Sequence, residues 1–396
     1  VNKEEFLAKY AVDRKDTASV KWDGMQEEFG SSDLYPLWVA DTEFKIPQSS
    51  VTALQKRVAH GAFGYSLTPE GYYDAYFTWQ KERYGIELHK EWLRFGTGVV
   101  QSLSTLLQFS TIPGDAVMIM EPVYHPFRHV IEDNDRKVVA NELVDFGEEY
   151  KMDLEKIEEQ MVANDVKVLM LCNPHNPVAR VWTEEELANL LELCRKEQVL
   201  VISDEIHHDL LPSDKKFVSA LSIKDGFYRD NMIMVDSPSK TFNMAGLLIS
   251  HVVIPNPQLR DRYDQQQEIL HAPASNILGM VAGQAAYSDG ADWLAGLLAV
   301  VKDNYDYLKA HLQAAFPEIK ITDQEGTYLA WVDLSAVVAP EELKHVVQDQ
   351  AKLAVDFGSM FGQGGAGHIR INLATTPENL QAAVSSLVKT LQENQA

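Results

Sequence analysis

Residues 231–244 read NMIMVDSPSKTFNM: an apolar run that ends at Val235, then an aspartate, then Lys240 set among small hydroxyl residues. The run is short and apolar on both faces, as in a strand buried inside a sheet that is covered on both sides. Three other runs have the same form: AVMIM (116–120), VKVLML (166–171) and VLVIS (199–203). Between the last two lies TEEELANLLELCRKEQ (183–198), a helical pattern with Thr183 as N-cap and Glu186 at the capping-box position. Buried strands alternating with amphipathic helices predict an α/β fold, with a mostly parallel sheet covered by helices on both faces.

The last hundred residues have a different pattern. A long helix is expected from about Asp292 to Ala315, stopping before Pro317. IKIT (319–322), GTYLAWVDL (326–334), a helix near 340–353, GHIRINLA (367–374) and a final helix entered through Thr376-Pro377 come next. This mixture predicts a smaller α+β domain. The expected division is a large domain over 46–285 and a small one over 1–45 and 286–396.

The bulk properties narrow the function. The chain has 396 residues, 45% apolar and 23% charged, with a formal charge of −23. Such an acidic surface repels phosphate backbones and anionic membranes, and no basic run overrides it, so neither nucleic acid nor membrane is expected as a partner. No apolar stretch approaches the roughly 18–20 residues that span a bilayer. The charged start, VNKEEFLAKYAVDRKD, has no apolar core of a secretion signal. Cys172 and Cys194 are the two cysteines, they form no metal-ligand pattern, and they fit a reducing cytoplasm. The twelve histidines show no metal-binding spacing, and the pair His207-His208 is by default structural. No metal is expected.

In an open parallel sheet, ligands bind beyond the carboxyl ends of the strands. The residues just past each run are therefore informative. After AVMIM comes Glu-Pro-Val-Tyr124; after VKVLML, Cys-Asn173-Pro-His-Asn176-Pro; after VLVIS, Asp204-Glu-Ile-His207; after MIMV, Asp-Ser237-Pro-Ser239-Lys240. A fifth piece, GTGVVQSLSTLLQ (96–108), is a glycine-containing loop that enters a helix, whose free N–H groups suit an anion. Singly, each has a bland reading: a turn, a cap, a solvated lysine. Together they place an aromatic ring, an amide, a carboxylate, a lysine and an anion cradle along one edge. Pyridoxal 5′-phosphate needs that set, with a lysine for its aldehyde, a carboxylate for its ring nitrogen and donors for its phosphate and phenolate oxygens. Lys240 is the expected aldehyde lysine, with Ser237 and Ser239 small enough to bind phosphate beside it.

The chain resembles the fold-type I pyridoxal-phosphate enzymes of the class I/II aminotransferase superfamily, and within them the cystathionine β-lyase/C–S lyase branch of MalY/PatB type. The matching segments are LWVADTEF (37–44), FGYS (63–66), GVVQSL (98–103), EPVYHPF (121–127), NPHNP (173–177), SDEIHHDL (203–210), SPSKTFNMAGL (237–247) and FGQGGAGHIRINLA (361–374). They span nearly the whole chain in the family's order. The resemblance implies that Lys240 carries the cofactor, Asp204 pairs with its ring nitrogen, Asn173 faces the phenolate oxygen and Tyr124 stacks on the ring. His207 lies where many relatives place a tyrosine near that oxygen. The N–H groups of Val99 and Val100, with Ser237 and Ser239, are implied phosphate ligands. Tyr65 is implied to reach the phosphate from the neighbouring subunit of a homodimer, and Arg370 to grip the substrate carboxylate. An arginine fork is also what bidentate carboxylate recognition requires.

Three departures stand out. The family commonly has Asp-Met-Asp-Phe where this chain has Asp41-Thr-Glu-Phe44; the glycine expected after NPHNP is Ala179, preceded by Val178; and TFNMAGLLIS lacks the arginine that many aminotransferases carry after the lysine. The implied reaction begins with Lys240, as a neutral amine of lowered pKa, taking the proton from Cα of an amino-acid substrate. With a thiolate leaving group on Cβ, elimination is the next step, as with L-cystathionine or related cysteine S-conjugates, to pyruvate, ammonia and a thiol. Transamination is the alternative. A regulatory binding protein is the remote third reading. Regulators of this fold carry a DNA-binding segment ahead of it, which is not expected here.

Overall fold

The computed structural model describes residues 2–272 and 276–395. The four apolar runs form the centre of a seven-stranded sheet. Its strands are β1 (Leu93–Gly96), β2 (Ala116–Glu121), β3 (Lys137–Glu142), β4 (Val166–Cys172), β5 (Leu200–Asp204), β6 (Met232–Asp236) and β7 (Ser250–Val253), in the order β1-β7-β6-β5-β4-β2-β3. The five from β6 to β3 are parallel, and β7 is antiparallel to both its neighbours. Side chains alternate across the sheet as strand geometry requires. Val117, Ile119, Val168, Met170, Ile202 and Ile233 pack on one face, and Met118, Met120, Leu169, Leu171, Val201 and Met234 on the other. Each contributes about 1.5–3 kcal/mol by leaving water. Strands β1 and β3, at the sheet edges, are not marked by apolar runs; β7 is buried, but its apolar pattern is interrupted by Ser250 and His251, which are paired with Ser102 and Asp236.

Helix α1 (Val99–Ser110) lays Leu103, Leu106 and Leu107 on the first face. Helix α2 (Glu184–Lys196) covers the second through Leu187, Leu190 and Leu191. Its capping box is as expected: Glu186 N donates to Thr183 Oγ1 at 3.2 Å, and Thr183 N to Glu186 Oε2 at 2.8 Å.

The C-terminal part holds α3 (Ala291–Ala315), an antiparallel sheet and α4 (Pro377–Gln395). The sheet order is β8-β9-β11-β10, from β8 (Lys320–Ile321), β9 (Leu329–Asp333), β10 (Asp356–Phe357) and β11 (His368–Asn372). The helix expected near 340–353 is shorter. Lys352 takes φ +63°, the left-handed region, which ends the helical chain after Gln350. Leu353–Ala354 is instead extended and pairs in parallel with Tyr35–Pro36.

That pairing ties the start of the chain to its C-terminal part. The ring of Phe6 also packs 5.0 Å from Phe44 and 5.6 Å from Trp293. Close approach is possible because Gly296 of α3 lies beneath it: a Cβ there would sit 2.4 Å from the Phe6 ring. On this packing we propose the division into 46–285 and 1–45 with 286–396. Residue 285 falls inside the helix Ile277–Asp289, so the chain passes between the parts within helical structure.

Candidate active site

The ends of β2, β4, β5 and β6 open on a cavity of about 250 Å³. Of the residues picked from the sequence, Val99, Val100, Tyr124, Asp204, His207, Ser239 and Lys240 line it. The parallel strands bring them together, since each stands at or just past a carboxyl end.

Lys240 lies on the short helix Pro238–Thr241, and its Nζ donates to the carbonyl oxygen of Ala40 at 2.7 Å. Its pKa is lowered to about 8: burial pushes it down, opposed by Asp41 and Asp204 and assisted by Arg370 and Lys21. About a tenth of the free amine is then neutral at pH 7, and about half at pH 8. Asp204 ends β5, buried, and accepts one hydrogen bond from Ile206 N at 3.1 Å. Burial lifts its pKa to about 7, with Glu205 and Asp236 adding repulsion. A buried carboxyl so poorly compensated is suited to a cationic partner inside the cavity.

His207 is buried, and burial with the charges of Lys240 and Arg370 holds its imidazole neutral. Its Nδ1 has no partner. Tyr124 is held through its backbone, its N–H donating to Asn176 O at 2.9 Å, and burial raises its phenol pKa. At the opposite wall α1 begins after Gly98 with no side-chain cap, so the first-turn N–H groups at Val99, Val100 and Gln101 face the cavity without helical acceptors.

Ser237, Asn173, Arg370 and Tyr65 do not line this cavity. Ser237 is spent on the backbone: its hydroxyl donates to Ile249 O at 2.6 Å and accepts from Ser239 N at 3.0 Å, capping the lysine-bearing helix. Asn173 donates to Val218 O at 3.0 Å, and its Oδ1 is buried without a partner. Asn176, three residues on, lines the cavity instead, and its Oδ1 accepts from Arg370 Nη1 at 3.0 Å. Both Asn-Pro pairs of NPHNP are visible in the sequence, and position alone favours the one nearer the strand. The bend after β4, which turns Asn173 toward Val218, could not be read from the spacing.

Arg370 lies buried on β11, its guanidinium bonded to Asn176, to the carbonyl of Trp38 and to Asp356 on the neighbouring strand. Its Nε is unpartnered. Tyr65 lies fully exposed in a surface segment with Phe63 and Leu67. Ala40 and Asp356 were not anticipated, and no local signal marks them, because a backbone carbonyl and a cross-strand neighbour act through the fold. Among the described residues no group of three or more His, Cys, Asp or Glu could hold a metal ion, and no helix is long and apolar enough to cross a membrane.

The family model described as aminotransferase class I and II matches residues 42–387. Cystathionine beta-lyase PatB of Bacillus subtilis is 36% identical over 380 residues, covering 95% of this chain and 98% of its own length. Among solved structures, cystalysin from Treponema denticola, which contains a pyridoxal 5′-phosphate cofactor, superposes with a TM-score of 0.93 at 33% identity, covering 97% of this chain and 98% of the other. The C–S lyase from Staphylococcus hominis, complexed with the inhibitor L-cycloserine, gives a TM-score of 0.90 at 31% identity over 98% of this chain and 99% of the other.

Proposed function

The chain belongs to the class I and II aminotransferase family, and from that premise we propose that it is a pyridoxal 5′-phosphate-dependent carbon–sulfur β-lyase. Its proposed substrates are L-cystathionine and related cysteine S-conjugates, split with water to pyruvate, ammonia and a thiol. The observation that carries the reading is the gathering of the Lys240 amine, the poorly compensated Asp204 carboxyl and the open N-terminus of α1 around one cavity.

These residues fit the cofactor. Lys240 is its proposed covalent anchor, Asp204 the partner of its ring nitrogen, and Tyr124 the ring that stacks on it. The N–H groups of Val99 and Val100, with Ser239, are proposed to hold the phosphate, and Ser237 to act one step back by fixing the helix on which Ser239 and Lys240 sit. The unpartnered polar atoms of His207 and Asn173 lie on the same strand-end loops, and of the two asparagines Asn176 is the better candidate for the phenolate oxygen.

When bound, the cofactor supplies a sink for the charge left at the substrate's Cα. Lys240 Nζ, neutral once free, takes the Cα proton and becomes an ammonium. Asp204, ionised against a cation, keeps that cation protonated. Arg370 turns two N–H groups toward the substrate carboxylate and so fixes which bond at Cα faces the lysine.

A homodimer in which Tyr65 reaches the neighbouring subunit's phosphate site is part of the proposal, supported by the exposed apolar cluster Phe63, Tyr65 and Leu67. A cytoplasmic location is proposed from the two free, buried cysteines. Release of keto acid and thiol from a cysteine S-conjugate with no acceptor added tests the reading.

A further inference from the structure

Ala40 lines the cavity, and the segment around it, Val39–Phe44, is held by several hydrogen bonds. Asn372 Nδ2 donates to Val39 O and Asp41 O, both at 2.7 Å. Tyr328 Oη and Lys240 Nζ both donate to Ala40 O at 2.7 Å. Arg14 forks onto the Asp41 carboxylate at 2.6 and 2.8 Å. Behind this wall Lys21, 0% exposed, donates to Glu43 Oε1 at 2.7 Å and to Asp41 O at 3.1 Å. The other carboxylate oxygen of Glu43 accepts from Trp22 Nε1 at 2.7 Å.

A fully buried lysine and glutamate carry a large desolvation cost that apolar residues would avoid. Their contacts here are directional and terminate on the segment whose next carbonyl holds Lys240. We propose that the buried Lys21–Glu43 pair, with Trp22, is a positioning device that fixes the Ala40 carbonyl and thereby the place of the Lys240 amine when it is not bonded to the cofactor. This role presupposes Lys240 as the cofactor lysine. Glu43 stands where the family pattern has the shorter aspartate. The extra methylene lets one carboxylate reach both Lys21 and the Trp22 indole.

The charged groups facing Lys240 are Asp41 from this segment, Lys21 from the helix Val20–Asp23 behind it, Asp204 from the end of β5 and Arg370 from β11; the neutral His207 and the phenols Tyr124 and Tyr328 complete the surround. Lys21 lowers the affinity of Lys240 for its proton. Its influence is the smallest of those named, after burial, Asp41, Arg370 and Asp204, so removing Lys21 raises that affinity slightly and moves the pH at which the free amine becomes a base up by a small step.

The test is the double variant Lys21→Met/Glu43→Gln, which leaves no buried unpaired charge, compared with wild type and with Lys240→Ala as holoenzymes. The double variant is expected to bind cofactor at full stoichiometry with the visible lysine–cofactor band, and to keep KM within about twofold. Its kcat should fall by about tenfold to a hundredfold, as for a reacting group displaced by a fraction of an ångström to an ångström. The acidic limb of its pH–kcat profile should shift to higher pH. In the cofactor-free protein, formation of the band on adding pyridoxal phosphate should also require higher pH than wild type. A double variant with lowered thermal stability but unshifted pH limb and unshifted band formation would overturn the positioning role and leave only a structural one. If Lys240→Ala itself keeps the lysine–cofactor band, the assignment of Lys240 fails, and that result is distinct from a failure of the Lys21–Glu43 role.

Discussion

Arg370 on the small sheet donates from Nη1 to Asn176 Oδ1 at 3.0 Å, joining the C-terminal part of the chain to the rim of the cofactor cavity. The same guanidinium pairs with Asp356 on the neighbouring strand. Replacing the fork by a point charge loses the bidentate geometry and the bond to Asn176 together. Arg370→Lys is expected to raise KM for the amino-acid substrate about tenfold to a hundredfold, the scale of one or two charge-assisted hydrogen bonds. Cofactor binding should be nearly unchanged. Steady-state kinetics with equilibrium cofactor titration separates the two, and an unaltered KM would remove Arg370 from substrate binding.

Asp204 sits with its carboxyl pKa raised to about 7 because burial penalises the charge. A ring-nitrogen cation in the cavity would reverse that penalty, so Asp204→Asn should weaken cofactor binding by about tenfold to a hundredfold. Because the cofactor-free protein gains by losing a strained acid, its thermal stability should not fall. Cofactor titration and thermal unfolding of the cofactor-free variant check both signs. Unweakened binding would contradict the pairing.

Lys240 shows the complementary sign. Its pKa is lowered from 10.5 to about 8, chiefly by burial. The unfolded chain then holds the proton more tightly than the folded one, so stability rises with pH between about 8 and 10.5, and the full cost is present at pH 7. Lys240→Met is expected to stabilise the cofactor-free protein at pH 7 by about 1–3 kcal/mol, with the difference shrinking as pH rises through that window. Denaturant unfolding at two pH values measures it. A variant less stable than wild type at pH 7 speaks against a buried, protonated lysine.

Tyr65, exposed on the isolated chain, is proposed to act across a subunit interface. Mixing subunits tests this. Tyr65→Phe alone should bind cofactor weakly and Lys240→Ala alone should be inactive. Hybrids of the two carry one site with both native residues if Tyr65 acts in trans, and none if it acts in cis. Recovery of activity well above that of either parent is the expected result.

Much of this was legible in the sequence because it rests on local periodicity. Runs such as MIMV and VKVLML are apolar on both faces, so their burial in a covered parallel sheet can be read from composition, and Asp204 and Lys240 from their place after the strands. The features that could not be read depend on turns and on contacts distant along the chain. That Asn176 and not Asn173 lines the cavity is set by a bend, Ser237 is committed by its bonds to Ile249 O and Ser239 N, and Ala40 acts through a backbone carbonyl 200 residues from Lys240. Ala179 is a mixed case. It stands where the family has glycine and takes a left-handed φ of +58°, at a steric cost of about 1–2 kcal/mol.

The most direct measurement is release of pyruvate and free thiol from L-cystathionine by the purified protein, with pyridoxal phosphate present and no keto acid added. The proposed β-elimination predicts many turnovers, with pyruvate and thiol appearing in equal amounts. A single round that stops, with the cofactor left in its amine form until a keto acid is supplied, would contradict it and mark the chain as an aminotransferase.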